Sequence, residues 1–113
     1  MKPLIYISGP YTKPDPVENT HKAIQIAEEI IRLGCTPYIP HLNLLWHLVY
    51  PHPIDFWYEM DIDILPRCDA VLRLSGDSRG ADTEILLAQQ LSIPIFYFLD
   101  ELKSWKIQIG LKN

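Results

Sequence analysis

Four short apolar runs constrain this chain more than any other feature. They are Leu4-Ile5-Tyr6-Ile7-Ser8, Cys35-Thr36-Pro37-Tyr38-Ile39-Pro40, Ala70-Val71-Leu72-Arg73-Leu74 and Ile93-Pro94-Ile95-Phe96-Tyr97-Phe98. Strands this apolar expose neither face to water, and helical segments between them supply the cover, so the pattern predicts a parallel sheet with crossover helices. Asp15 before Pro16 reads as a helix cap followed by proline at the first helical position. Ala23, Ile26, Ala27, Ile30, Ile31 and Leu33 then repeat at helical spacing until Gly34 stops them. Pro37 predicts an edge strand, because proline cannot donate to a central ladder.

Ile54 to Leu65 has helical periodicity (Phe56, Met60, Ile64) and ends at Pro66, and a further helix is expected from Ala81 to Leu91. Between His41 and Pro53 the chain is irregular and aromatic, with room for one helical turn near Leu44 to Leu48. After Asp100 a short helix and an extended end, Lys106 to Leu111, are expected. These elements predict one α/β domain over residues 1–113, a flavodoxin-like or Rossmann-like three-layer sandwich. Its parallel sheet should have four to five strands in the order 2-1-3-4, with a crevice between the first and third strands where the order reverses.

Composition narrows the partners. At 113 residues the chain has room for one core, and 48% hydrophobic with 21% charged residues describes an ordinary globular protein. A net charge of −4 without any run of Lys or Arg argues against polymeric DNA or RNA, though not against a small phosphorylated ligand. Cys35 and Cys68 each adjoin a strand and read as reduced, buried thiols. Met1-Lys2-Pro3 is too short for a signal segment, and no apolar run approaches the ~20 residues of a membrane span, so a cytoplasmic protein is expected.

The stretch Cys68 to Glu84 carries the most functional information. It reads as a buried strand, a polar glycine-bearing loop, and a helix whose first turn is rich in carboxylates. In an open α/β sheet ligands bind outside the strand carboxyl ends, which makes Glu84 a candidate nucleophile or base. Acids in a first helical turn are also favoured by the dipole and by capping, so these residues alone leave both readings of Glu84 open. Asp82 reads as a helix-start charge.

Four places together resemble the nucleoside 2-deoxyribosyltransferase superfamily, which includes deoxynucleoside 5′-monophosphate N-glycosidases and small bacterial and phage relatives. They are Ile5-Tyr6-Ile7-Ser8-Gly9-Pro10-Tyr11; Gly34 with Pro40-His41-Leu42; Asp61 eight residues before Asp69; and Ser78-Arg79-Gly80-Ala81-Asp82-Thr83-Glu84. The resemblance implies that Glu84 attacks the anomeric carbon of a deoxyribose and expels the base, by the logic of a retaining glycosidase. It implies positioning or proton transfer by Asp61 and orientation of the nucleophile by Tyr6. Ser78 matches a phosphate-contacting serine of the monophosphate hydrolases, which tilts the substrate towards a nucleotide. Ser8, Gly9, Pro10, Tyr11, His41, Ser78, Arg79 and Gly80 become the ligand-binding candidates. The implied activity is cleavage or transfer of the N-glycosidic bond of a nucleoside or its 5′-monophosphate, with no metal or organic cofactor. The competing reading is a non-catalytic nucleotide-binding or sensing module in the same crevice; hydrolysis of a modified or cyclic nucleotide is a third.

Other residues keep their alternatives. Asp61 and Asp63 are offset so that at most one points at the site. Arg73 shares a strand face with Val71 and needs an acidic partner, as an ion pair first and an anion site second. Arg79 reads equally as a phosphate clamp and as an exposed loop arginine. His41, His47 and His52 lack the spacing of a zinc helix, so no metal is expected. Trp46, Phe56, Trp57 and Tyr58 suit base stacking, packing between protomers, or core. Exposed aromatics on so short a chain predict a homodimer or a higher homo-oligomer.

Overall fold

In the computed structural model, which describes residues 1–112, the apolar runs become β1 (Leu4–Ser8), β2 (Thr36–Tyr38), β3 (Ala70–Arg73) and β4 (Ile95–Phe96). They form one parallel sheet in the order β2-β1-β3-β4, as expected. β2 pairs on one side only, which is where Pro37 is tolerated. The helices are α1 (Pro16–Arg32), α2 (Asn43–Val49), α3 (Ile54–Ile64), α4 (Arg79–Gln90) and α5 (Leu99–Lys112).

Local chemistry explains the ends of α1. The Asp15 carboxylate accepts the Glu18 N–H at 2.9 Å, and Pro16 occupies the first turn. At the other end Gly34 takes φ +83°, and the N–H groups of Gly34 and Cys35 donate back to Ile31 and Ile30, a Schellman closure that requires the left-handed residue.

Strand alternation then divides the core in two. Ile5, Ile7 and Leu72 pack with Ala23, Ala27 and Ile30 of α1 and Leu102 of α5. Tyr6 and Val71 face the opposite way, onto Leu65, Cys68 and Ala88. Helices therefore cover both faces, and the result is the expected α/β sandwich. Both cysteines are buried free thiols, and burial followed by the Asp69 charge pushes Cys68 up to about 11. Asp69 itself clamps β1: its carboxylate accepts the Leu4 N–H at 2.7 Å, and its own N–H donates to the Leu4 carbonyl at 2.8 Å.

Four expectations are corrected. β4 has two residues rather than six, because the N–H groups of Tyr97 and Phe98 leave the ladder and donate to the Glu101 carboxylate, which opens α5. The tail is one helix rather than a short helix and an extended end: Leu99, Leu102 and Trp105 recur at three-residue spacing against the core, and Trp105 meets Phe96 at 5.6 Å. The segment before Pro53 holds a 3-10 turn, Pro40–Leu42, and the two-turn helix α2 rather than a single turn. Finally, α4 begins two residues before Ala81, at Arg79, because the Ser78 hydroxyl caps it by accepting the Ala81 N–H at 3.1 Å. Among the described residues no helix is long and apolar enough to cross a membrane.

Candidate functional site

The early start of α4 changes the meaning of Glu84. Counted from Arg79 it lies in the second turn, past the reach of N-terminal capping and of the strongest helix-dipole field. It is 9% exposed, on the face turned towards the sheet. Helix-start electrostatics therefore does not account for it.

β1 supplies its partners. Tyr6 and Ser8 are two apart and share a strand face. The Tyr6 hydroxyl donates to Glu84 Oε2, and the Ser8 hydroxyl donates to Oε1 at 2.9 Å. Ser8 was expected to face the ligand, but its side chain is turned to Glu84 because strand alternation puts it with Tyr6. Arg73 lies opposite Ser8 in the parallel register, on the same face. Its guanidinium donates to the carbonyls of Leu74 and Gly76 and to Asp82 Oδ1 at 3.2 Å, so the ion-pair reading of Arg73 is the one observed.

A second carboxylate completes the centre. Asp61, on the inner face of α3, is 9% exposed while Asp63 points outward. Its Oδ1 is buried without a hydrogen-bond partner. Burial and then the Glu84 charge raise its pKa to about 7. Burial also raises Glu84, but hydrogen bonds from Tyr6 and Ser8 and the charge of Arg73 pull it back down. Glu84 has donors for its anion and Asp61 has none among the described residues, so the pair loses its first proton from Glu84. Tyr6 is held far above the usual phenol range by burial, Glu84 and Asp61, and stays a donor. Tyr38, at the end of β2, packs tilted against Tyr6 with ring centroids 5.6 Å apart, and burial followed by Asp61 raises it to about 12. Sequence reasoning missed Tyr38; its place at a strand end beside Tyr6 was the available signal.

Above this centre, at the carboxyl ends of β1 and β3, lies a crevice of about 650 Å³. Gly9, Pro10, Tyr11 and His41 form one wall, and Ser78, Arg79 and Gly80 the other; Asp61 and Glu84 reach its floor. Tyr6 and Ser8 lie beneath, out of the lining. His41 is 3% exposed and donates Nε2–H to the Pro10 carbonyl at 3.0 Å. Burial lowers its pKa, so it is a neutral imidazole, with Nδ1 buried and unpartnered.

The walls are held from behind. Asn19 of α1, another residue missed from sequence, donates to the carbonyls of Tyr11 and Lys13 at 3.0 and 2.9 Å. Gly76 takes φ +116°, where a Cβ would also come within 2.8 Å of Pro10 Cγ. Gly80 lets the Tyr58 ring approach; a Cβ there would lie 2.7 Å from it. Trp57 and Tyr58 of α3 close the remaining side. Among the described residues no three His, Cys, Asp or Glu side chains gather to hold a metal.

Residues 3–98 match the model of a family described as Domain of unknown function (DUF7768). No curated protein matches the chain. Among solved structures it is similar to a 2-deoxyribosyltransferase from the psychrotolerant bacterium Bacillus psychrosaccharolyticus. The two share 22% identity over 81% of this chain and 69% of that one, with a TM-score of 0.61, which shows a common fold.

Proposed function

The chain belongs to the DUF7768 family, and for this member we propose cleavage or transfer of the N-glycosidic bond of a nucleoside or its 5′-monophosphate. The observation that carries the reading is the inequality of two neighbouring buried carboxylates. Glu84 has two hydroxyl donors and Arg73 to favour its anion, while Asp61 is raised to about 7 with no donor among the described residues and its Oδ1 buried unpartnered. A nucleophile and an acid held in different protonation states near neutrality are what glycosidic cleavage requires.

In this reaction the Glu84 carboxylate attacks the anomeric carbon. The bond to the base breaks with its electron pair passing to the departing nitrogen, and that nitrogen takes the proton from Asp61. Water, or a second base, then displaces Glu84 from the sugar, and Asp61 accepts the proton released. Tyr6 and Ser8 orient Glu84, and Gly9, Ser78 and Arg79 receive the 5′ end. The common fold with a 2-deoxyribosyltransferase is consistent with this chemistry.

The test is incubation of wild type and Glu84→Gln with ribo- and deoxyribonucleosides and their 5′-monophosphates, following free base by chromatography. Base release by wild type, lost in the variant, supports the reading. No release from any compound, with thermal stabilisation by one of them, would replace it with a binding module.

A further inference from the structure

We propose that Trp57 is the surface on which the base of the substrate stacks, and that His47 is the positioning residue that sets it. The inference rests on the nucleotide reading above and assigns a residue to the face of the base, which Asp61 meets only at the departing nitrogen. Trp57 lies in α3, four residues before Asp61, and lines the crevice. Its ring is fixed on several sides. Trp46 packs edge-on at 5.2 Å and 76°, Phe56 at 4.9 Å and 82°, and His52 at 5.4 Å and 89°. His52 is itself stacked on Phe56 at 3.9 Å.

The decisive contact is polar. Trp57 Nε1–H donates to His47 Nδ1 at 3.0 Å, and the His52 backbone N–H donates to the same nitrogen at 3.2 Å. An indole N–H and a backbone N–H can only donate, so Nδ1 of His47 carries no proton. His47 lies outside the crevice lining, so the one polar atom of the indole is committed elsewhere. What Trp57 offers a ligand is apolar ring surface, already ordered before binding. Such a surface favours a planar base and has no hydrogen bond with which to tell one base from another.

The experiment measures binding by calorimetry in the Glu84→Gln background, with dAMP, dCMP and 2-deoxyribose 5-phosphate as probes. The last keeps the sugar and phosphate and lacks the base. Trp57→Ala should weaken both nucleotides about 10- to 100-fold and leave the sugar phosphate unchanged. His47→Leu keeps the ring but frees it, and should weaken the nucleotides about 3- to 10-fold. His47→Asn, whose side-chain oxygen can replace Nδ1 as acceptor, should restore affinity to within about twofold of the parent. In otherwise wild-type protein the loss should appear in KM more than in kcat. Equal weakening of all three probes, or unchanged nucleotide affinity, overturns the assignment, and so does failure of His47→Asn to do better than His47→Leu. If wild type releases base while Trp57→Ala binds nucleotides normally, this inference falls and the reaction stands. If nucleotides bind through Trp57 but no base is released, the reaction falls and the assignment stands. Absence of any nucleotide binding overturns both.

Discussion

Replacing Asp61 with Asn should flatten the pH dependence of folding stability. The Asp61 carboxyl is held at about 7 against an ordinary value of 3.8, by burial first and Glu84 second. Between those values the native state keeps a proton that the unfolded chain has released. The contribution to stability is therefore fully present below the unfolded value and is lost as pH rises through the folded one. At roughly 1.36 kcal/mol per pH unit, the interval amounts to at most about 4 kcal/mol. Glu84 is also raised, so its contribution has the same sign. His41 is lowered by burial, so its contribution has the opposite sign, but it is common to both proteins and drops out of the difference. Urea denaturation of wild type and Asp61→Asn from about pH 4 to about pH 8, at constant ionic strength, measures that difference. The variant should gain on wild type as pH rises, by up to about 4 kcal/mol across the range. Any cost of burying the amide lowers its curve equally at every pH and leaves the slope alone. Parallel curves for the two proteins would refute the raised carboxyl, and with it the assignment of acid and nucleophile.

Other perturbations test the scaffold around that pair. Tyr6→Phe removes a donor to the Glu84 anion; at about 1.5–3 kcal/mol for a charged hydrogen bond, the acidic limb of the pH–rate profile should move up by about one to two pH units. An unmoved limb would mean that the contact does not tune Glu84. Gly76→Ala places a Cβ at φ +116° and 2.8 Å from Pro10 Cγ, and should lower stability by about 1–3 kcal/mol; a fully wild-type melting curve would contradict that geometry. Ser78→Ala uncaps α4 and should cost about 1 kcal/mol, with Ser78→Gly milder, as denaturation midpoints will show.

Much of the scaffold was legible in local pattern. Asp15-Pro16 and Gly34 marked both ends of α1, Pro37 marked the edge strand, and the alternation in β3 put Arg73 with Val71 and away from Leu72. These features depend on backbone geometry and on which side chains water excludes, and both act over a few neighbouring residues. Where competing local signals were close, the pattern misled. Ile107 and Ile109 alternate like a strand, yet α5 stays helical because Leu102 and Trp105 are anchored on the core. Glu84 resembled a first-turn acid, yet with Ser78 as the cap only Asp82 lies in the first turn and Glu84 falls in the second.

By itself, then, the sequence determined the order of elements, the parallel sheet and the crevice at the carboxyl ends of β1 and β3, because periodicity and turn chemistry are written into consecutive residues. Tertiary structure decided which groups meet there and in what state. Ser8 turns to Glu84 across 76 positions, Tyr6 reaches it across 78, and Trp57 gives its N–H to His47 on a different helix. The protonation order of Asp61 and Glu84 follows from which carboxylate has donors after both are buried. Burial and donor supply belong to the packed arrangement, because each is the sum of contacts from segments far apart in the chain.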